Sequence, residues 1–244
     1  MGIREMSIAL AAGCLLSTLG QAQTSSQPAS LQSLPAPTSA ASSDSLLRGE
    51  VSAWNQVPLK HIALHRTPPL YDTDEPAALE IPIVEVRCLR AQDKLLVQLA
   101  WRDPTQDAVS LPEVPDSAPE TRFRKVQTEA EDRFFDAAAV MFPAKANAAD
   151  LSPSLQMGDP LHPVQIYYWN ATRGAMLMEA QGRGTTRRTG QSFPAHALYQ
   201  KGQWNLTLAL PNLPAGTPLA FAVWNGSQKD RDGRKYFSVW QVLQ

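Results

Sequence analysis

The feature that most constrains the fold of this chain is a series of short apolar segments separated by proline- and glycine-rich connections. In one segment Trp204, Leu206 and Leu208 share one face, while Asn205 and Thr207 lie on the other. This two-residue period predicts β-strands, and helical periodicity is limited to a turn or two within residues 121–135. The chain is therefore predicted to be all-β, an antiparallel β-sandwich with its sites in loops or between the sheets. The predicted strands are residues 80–90, 94–101, 136–142, 164–169, 176–180, 204–210, 219–224 and 236–243.

The first 46 residues differ in composition from the rest. Residues 1–22 contain Arg4, an apolar stretch too short to span a bilayer and a small-x-small site ending at Ala22, which predicts a Sec-type signal peptide and a periplasmic protein. Lipid attachment at Cys14 is the alternative, although apolar residues continue after Cys14 where a polar tether would be expected. Residues 23–46 are rich in Ser, Pro, Ala, Gln and Thr and predict a disordered tether. Residues 47–244 remain as one folded domain.

Composition excludes several classes of function. The 244 residues are 43% hydrophobic and 18% charged, with a formal net charge of −1. That charge gives no bulk attraction to nucleic acid or to an anionic membrane. After cleavage at Ala22, Cys88 is the only cysteine. A single cysteine excludes an internal disulfide, a Cys-x-x-Cys-His haem attachment and a cysteine-ligated iron–sulfur or zinc site. Any haem would therefore be held without thioether bonds.

Two loops carry candidate metal ligands. Met157 lies in a loop rich in Pro and Gly that leads into an aromatic strand; its thioether suits haem iron, while the alternative is a methionine that fills the core. Lys229 and Lys235 lie in a polar loop near the C-terminus and could ligate iron only as neutral amines. The alternative is a charged hairpin turn. Lys235 is the better candidate because it begins an aromatic strand.

Other candidate sites receive less support. His162 follows Met157 too closely to reach the opposite face of a haem, and His61 and His65 have helical spacing without a metalloprotease motif. Asp132 and Asp136 could form a hydrolase pair, but no nucleophile motif or phosphate-binding loop supports an enzyme. The basic residues 183–188 are interpreted as a solvated hairpin loop.

Four motifs in one order resemble those of a known family. They are Leu-Ala-Trp-Arg-Asp-Pro-Thr at 99–105, Phe-Asp-Ala-Ala-Ala-Val-Met-Phe-Pro at 135–143, Met-Gly-Asp at 157–159 leading to Pro-Val-Gln-Ile-Tyr-Tyr-Trp at 163–169, and Trp-Asn-Gly at 224–226 leading to Asp-Arg-Asp-Gly-Arg-Lys-Tyr-Phe-Ser at 230–238. The chain resembles the haem b-binding γ subunits of periplasmic molybdenum enzymes of the ethylbenzene dehydrogenase, dimethylsulfide dehydrogenase, selenate reductase and chlorate reductase type. The similarity covers most of residues 47–244. The basic loop around residues 187 and 188 departs from the family pattern, as does the long tether.

The resemblance implies a β-sandwich in which loops and sheet faces enclose one non-covalent haem b. It places the axial ligands on Met157 and Lys235, with Lys229 as the fallback, and Tyr167, Tyr168 and Trp169 as walls of the haem pocket. It also implies a subunit that is not catalytic alone. Such a subunit passes single electrons between an iron–sulfur subunit, which serves a molybdopterin catalytic subunit, and a soluble periplasmic cytochrome c.

Two other interpretations remain open from the sequence. One is a cofactor-free β-sandwich of the carbohydrate-binding type, in which Trp169, Trp204 or Trp224 forms a stacking platform; it requires these aromatics to be exposed. The other is a haem b protein that acts in the periplasm without a molybdenum enzyme. This subunit's sequence does not separate the second interpretation from the family role.

Overall fold

The computed structural model describes residues 32–49, 51–67, 80–108, 134–145 and 154–244, which belong to one compact unit, Leu31–Gln244. The predicted signal peptide and the first part of the tether lie outside the described residues. The helices are α1 (Ser43–Leu47) and α2 (Val51–Trp54). The strands are β1 (Ser33–Leu34), β2 (Thr38–Ser39), β3 (Lys60–Ala63), β4 (His65–Arg66), β5 (Ile83–Ala91), β6 (Lys94–Arg102), β7 (Ala137–Pro143), β8 (Val164–Asn170), β9 (Gly174–Ala180), β10 (Arg187–Arg188), β11 (Ala195–Gln200), β12 (Gln203–Pro211), β13 (Pro218–Trp224), β14 (Tyr236–Phe237) and β15 (Gln241–Leu243).

The strands form two sheets. The first sheet has nine strands in the order β1-β15-β13-β7-β8-β9-β10, with β14 joined to β13 and β4. The second sheet has six strands in the order β11-β12-β6-β5-β2, with β3 joined to β5. Two short strands, β1 and β2, pair parallel with β15 and β5. The neighbouring longer strands pair antiparallel, and the prediction of an all-β sandwich is confirmed.

The main core lies between the two sheets. Three tryptophans occupy one end of this core: Trp101 stacks on Trp204 with ring centroids 6.2 Å apart, and Trp169 meets Trp204 edge to face at 5.0 Å. A smaller cluster lies on the outer face of the second sheet, where α1 and α2 cover the sheet with Leu46 and Trp54. Aromatic burial of this kind contributes much of the free energy of folding.

Most predicted strands are observed with small changes at their ends. The predicted hairpin is confirmed by β5 and β6, which pair antiparallel around a turn in which Gln92 has φ 54°. The last predicted strand divides into β14 and β15 because Ser238 leaves the ladder and its hydroxyl accepts a hydrogen bond from the Phe221 backbone N–H at 2.9 Å. The prediction missed β11, in which half of the residues are exposed.

The described structure differs from the prediction at the start of the domain, because part of the expected tether is ordered. Leu34 and Leu46 are 1% and 0% exposed, β1 pairs with β15, and the Ser42 hydroxyl caps α1 by accepting a hydrogen bond from the Ser45 backbone N–H. The average composition of residues 23–46 is polar, but two of these residues, Leu34 and Leu46, are apolar and pack against the sheets. In the part of the chain covered by the structure, no helix is long and apolar enough to cross a membrane.

Asp136, the residue immediately before β7, is a buried hydrogen-bond acceptor. It is 0% exposed, and it accepts hydrogen bonds from the backbone N–H groups of Asp107 and Gly226 and from the Trp204 indole, at 2.8, 2.9 and 2.9 Å. Gly226 approaches so closely that an added Cβ would lie 2.7 Å from the Phe134 carbonyl oxygen. Asp136 therefore joins four chain segments. The hydrolase partner considered for it, Asp132, lies outside the described residues.

Asp103 lies near Asp136 and is also fully buried. Burial and the negative charge of Asp136 raise the pKa of Asp103 to about 7, against the opposing effect of two hydrogen bonds from Thr105. The second carboxylate oxygen of Asp103 is buried and has no hydrogen-bond partner within the described ranges. A protonated Asp103 is consistent with both observations.

We predict that Asp103 makes the free energy of unfolding fall as the pH rises from about 4 to about 7. The folded state holds the Asp103 proton up to a higher pH than the unfolded state does, so unfolding releases a proton in this window. Asp103→Asn stays neutral, and its stability relative to the wild type should increase across the window by up to about 1.4 kcal/mol per pH unit. Urea unfolding at pH 4, 5, 6 and 7 measures the difference. A difference independent of pH would contradict the prediction.

Candidate functional site

The candidate site is a pocket on the outer face of the first sheet, on the side away from the main core. Its floor is formed by β7, β8 and β13. Met141 lies opposite Ile166 on β8 and Ala220 on β13, and Ala139 lies opposite Tyr168 on β8 and Ala222 on β13. Three of these floor residues are alanines, so the sheet offers a low, apolar surface. The lining residues are Ala139, Met141, Leu155, Met157, Ile166, Ala220, Phe221, Ala222, Trp224, Lys235, Phe237 and Ser238.

The loop before β8 presents Met157 in an unusual backbone conformation. Met157 has φ 74°, a left-handed region that a residue with an unbranched apolar side chain seldom occupies. Two backbone hydrogen bonds hold it there: the Met157 carbonyl accepts from the Gly182 N–H, and the Gly158 N–H donates to the Ser154 carbonyl, both at 2.8 Å. Strain maintained by the surrounding contacts is typical of functional positions.

The residues after Met157 close this loop tightly. Gly158 has φ 73°, and an added Cβ would lie 2.5 Å from the His162 carbonyl oxygen, so only glycine fits. The Asp159 carboxylate accepts hydrogen bonds from the backbone N–H groups of Leu161 and His162 and contacts His162 Nδ1 at 3.0 Å. His162 is therefore used to close the loop and does not line the pocket.

The second loop brings Lys235 to the pocket from the opposite side. The Lys235 carbonyl accepts hydrogen bonds from both the backbone N–H and the hydroxyl of Thr67, each at 2.9 Å. Just beyond it, β14 pairs with β4. These contacts fix the backbone of Lys235, so its side chain starts from a defined position.

A buried ion pair fixes the rest of the Lys235 loop. Asp230 is 3% exposed and is held by both terminal nitrogens of Arg66 at 2.7 Å. The Asp230 carboxylate also accepts a hydrogen bond from the Asn225 backbone N–H at 3.0 Å. Arg66 lies over the Tyr236 ring, 4.5 Å from its centroid. A charge-assisted hydrogen bond between arginine and a carboxylate is strong, and this one, with the second close ion contact beside it, ties the loop to β4.

The two loops bring Met157 and Lys235 together. Lys235 Nζ lies 3.6 Å from Met157 Sδ and 5.2 Å from the centroid of the Trp224 ring. Burial, with a smaller effect from the positive charge of Arg183, lowers the pKa of Lys235 to about 8. The lowered pKa reduces the cost of forming the neutral amine, which is the form that can bind a metal, beside a soft sulfur donor.

The remaining predicted pocket residues are placed differently. Lys229 is exposed and does not line the pocket, so the structure brings Lys235, and not Lys229, to Met157. Tyr168 packs at the edge of the pocket, with its ring 5.3 Å from that of Trp224. Tyr167 and Trp169 face the main core, because alternate residues of a strand point to opposite faces. The expectation that Tyr167 and Trp169 form pocket walls is therefore wrong.

Sequence reasoning missed the wall that Trp224 supplies and the alanine floor. Both could have been found from the strand period, which puts Trp224, Ala222 and Ala220 on one face of β13. The same residues bear on the carbohydrate-binding alternative, since Trp169, Trp204 and Trp224 are only 7%, 4% and 7% exposed. The exposed stacking platform that this alternative requires is not formed by these tryptophans.

Other metal-binding side chains do not assemble into a second site. His61 and His196 are exposed, His61 lying 3.6 Å from Glu85, and His65 packs near Phe237. Cys88 is buried in the main core, and burial raises its pKa to about 12, which disfavours the metal-binding thiolate. Over the residues that the structure describes, His, Cys, Asp and Glu form no group of three or more that could hold a metal ion.

Comparison with known proteins identifies the family. The family model described as ethylbenzene dehydrogenase matches residues 51–194, which is more than half of the chain. The chain belongs to the ethylbenzene dehydrogenase family. This assignment confirms the resemblance found in the sequence motifs.

Three relatives are 27–29% identical to this chain over the aligned residues. The putative respiratory nitrate reductase heme subunit ORF7 of Haloferax mediterranei is 29% identical over 93% of this chain and 77% of its own length. The chlorate reductase subunit gamma of Ideonella dechloratans is 29% identical over 64% of this chain and 62% of its own length. The dimethylsulfide dehydrogenase subunit gamma of Rhodovulum sulfidophilum is 27% identical over 76% of this chain and 70% of its own length.

A solved structure also aligns with most of the chain. A family 9 carbohydrate-binding module from Caldicellulosiruptor kristjanssonii covers 87% of this chain and 93% of its own, with a TM-score of 0.42 and 11% identity. Similarity at this level carries no inference about function.

We predict that Arg66→Gln destabilises the protein by roughly 3 kcal/mol, because it leaves the buried Asp230 carboxylate without its arginine partner. Arg234, whose Nε lies 3.4 Å from Asp230, compensates only in part. Urea unfolding measures the loss. The matched control is Arg187→Gln, which removes an ion pair whose side chains are 75% and 38% exposed and should change stability little. If both substitutions lowered the free energy of unfolding by the same amount, the buried pair would contribute no more to stability than the exposed pair, and the prediction would be wrong.

Proposed function

We propose that this chain binds one non-covalent haem b between Met157 and Lys235 and transfers single electrons as a subunit of a molybdenum oxidoreductase complex. The observation that carries the proposal is the approach of Lys235 Nζ to Met157 Sδ, at 3.6 Å, in an apolar pocket. A thioether facing an amine of lowered pKa is a donor pair suited to haem iron. The names of the three relatives, a heme subunit and two gamma subunits, support the same role.

Met157 and Lys235 would hold the haem from the two loops. Their donor atoms lie 3.6 Å apart, so the two side chains would have to separate to admit the group. Both side chains are unbranched and have several rotatable bonds, which allows this adjustment.

The haem, when bound, supplies a one-electron iron couple, and the chain sets its surroundings. Met157 and Lys235 would hold the iron as uncharged donors, and a methionine ligand would favour the reduced form. The alanine floor and Trp224 would give the haem an apolar surface. A group held by side chains from two loops would leave no place for a substrate, so this subunit would not be catalytic alone.

The proposed partners follow from this role. A molybdopterin catalytic subunit would act on the substrate, an iron–sulfur subunit would exchange electrons with the haem, and a soluble cytochrome c would do so on the other side. An N-terminal signal would place the complex in the periplasm. The gamma-subunit names of two relatives support assembly with other subunits.

We predict that purified protein reconstituted with haem shows a Soret band and sharp b-type bands after reduction with dithionite. Met157→Ala and Lys235→Ala should each alter these bands, because each variant lacks one axial donor. Lys229→Ala is the matched control, since Lys229 is exposed and away from the pocket, and its spectrum should equal that of the wild type. Met157→His should restore two axial donors and lower the midpoint potential.

Optical spectra and a potentiometric titration measure these outcomes. If the wild type shows no Soret band with haem in excess, the electron-transfer proposal is wrong. If Lys229→Ala changes the spectrum while Lys235→Ala does not, the haem proposal stands and the assignment of the lysine ligand is wrong.

A further inference from the structure

The pocket-facing side of the first sheet continues to an arginine at its edge. One row of directly opposed residues crosses the sheet from β13 to β10. Its members, in order, are Ala220, Met141, Ile166, Met178 and Arg188. Directly opposed residues of adjacent strands point to the same face. Arg188 therefore projects on the face that carries the pocket, at the end of a row whose members include the pocket floor.

Its neighbour Arg187 provides the contrast. Arg187 lies opposite Glu179 and points to the other side of the strand. The two side chains form an ion pair with a nitrogen–oxygen distance of 2.6 Å. Arg188, by comparison, forms no ion pair with the residues that the structure describes. The positive charge of Arg187 is thus neutralised by Glu179, whereas Arg188 is unpaired among the described residues and lies on the face that carries the pocket.

Arg183 approaches the same pocket from the loop between β9 and β10. It follows Gly182, whose N–H donates to the carbonyl of Met157 at 2.8 Å, so the arginine is attached to the loop that presents the thioether. Its positive charge is close enough to contribute to the lowered pKa of Lys235. Arg183 has no ion pair within the described part of the chain and is exposed.

Acidic residues near this edge are already engaged. Glu179 is paired with Arg187, and Asp159 contacts His162. Asp232, which lies 3.7 Å from Arg231, is near enough to Lys235 for its negative charge to oppose the lowering of the lysine pKa. The two unpaired arginines outnumber this one carboxylate, so the edge keeps an excess of positive charge next to an apolar pocket. A ligand that fits both features has an apolar body and an anionic end.

We propose that Arg183 and Arg188 bind the propionate carboxylates of the haem at the mouth of the pocket. This inference rests on the proposed haem function and adds the residues that orient the ring. An apolar floor cannot accept carboxylates without a large desolvation cost, so the carboxylate edge must face outwards. Arginine is the side chain best suited to receive it, because its planar guanidinium forms two parallel hydrogen bonds with a carboxylate.

The experiment compares haem with its dimethyl ester, in which both carboxylates are blocked and the ring and iron are retained. Dissociation constants are measured by Soret titration for the wild type, Arg183→Gln, Arg188→Gln and the double variant. Arg187→Gln is the matched control, since it removes an adjacent arginine that faces away from the pocket. Urea unfolding shows that every variant remains folded.

We expect the wild type to bind haem more tightly than the ester, and each substitution at Arg183 or Arg188 to weaken haem binding roughly three- to tenfold. Binding of the ester should be unchanged by these substitutions, and the double variant should bind both compounds alike. Arg187→Gln should match the wild type with either compound.

Other outcomes identify which step is wrong. If haem and ester bind the wild type equally, or if the variants weaken both equally, the carboxylate assignment is wrong while the haem function stands. If the variants leave haem affinity unchanged but weaken the association with an acidic redox protein at low salt, the two arginines form a docking surface instead. If the wild type binds neither compound, the proposed function is wrong, and so is this inference, which depends on it.

Discussion

The position of Lys235 depends on a carboxylate buried beneath its loop. Asp230 joins Arg66 of β4 to the Asn225 backbone at the end of β13, and Thr67 then holds the Lys235 carbonyl. Restricting the backbone of one residue to a single conformation costs about 1–2 kcal/mol. Part of the ordering needed at the site is supplied by contacts made in folding, so less remains to be supplied by a ligand.

Alternation along the strands divides one sheet between two tasks. On β8, Tyr167 and Trp169 face the main core, while Ile166 and Tyr168 face the pocket. The main core has a tryptophan cluster and large aliphatic residues, whereas the pocket floor has alanines. The same strands therefore hold the sandwich together with one face and leave space for a ligand on the other.

The sequence was informative where a local rule decides the structure. Strand periodicity located β5, β6, β8, β12 and β13, and the aromatic strand after Lys235 favoured it over Lys229 as a candidate. It failed where the outcome depends on long-range contacts. The ordering of Leu34 needs the edge strand β15, more than 200 residues away, and the raised pKa of Asp103 needs the buried Asp136.

The error on Trp169 had a different origin, because the information to avoid it was present. Tyr168 and Trp169 are adjacent on a strand, and adjacent strand residues cannot both face one pocket. The motif was treated as a unit, and its aromatic character outweighed the two-residue period. Of the two, only Tyr168 packs on the pocket side of the sheet, whereas Trp224, which lies on another strand, is the tryptophan that faces Lys235.

The location of the site on an outer sheet face bears on the electron transfer proposed for this chain. A cofactor between the sheets would be surrounded by the main core, and exchange with another protein would have to cross a whole sheet. Here two loops cover the site, and charged residues lie at its edge, so a partner can approach without rearranging the sandwich. The strained Met157 backbone fits this arrangement, because the covering loop is fixed by its own hydrogen bonds and by Gly182. Substitutions in the loops can then change the pocket with little loss of folding stability, because that stability comes mainly from the inner face of the sheet.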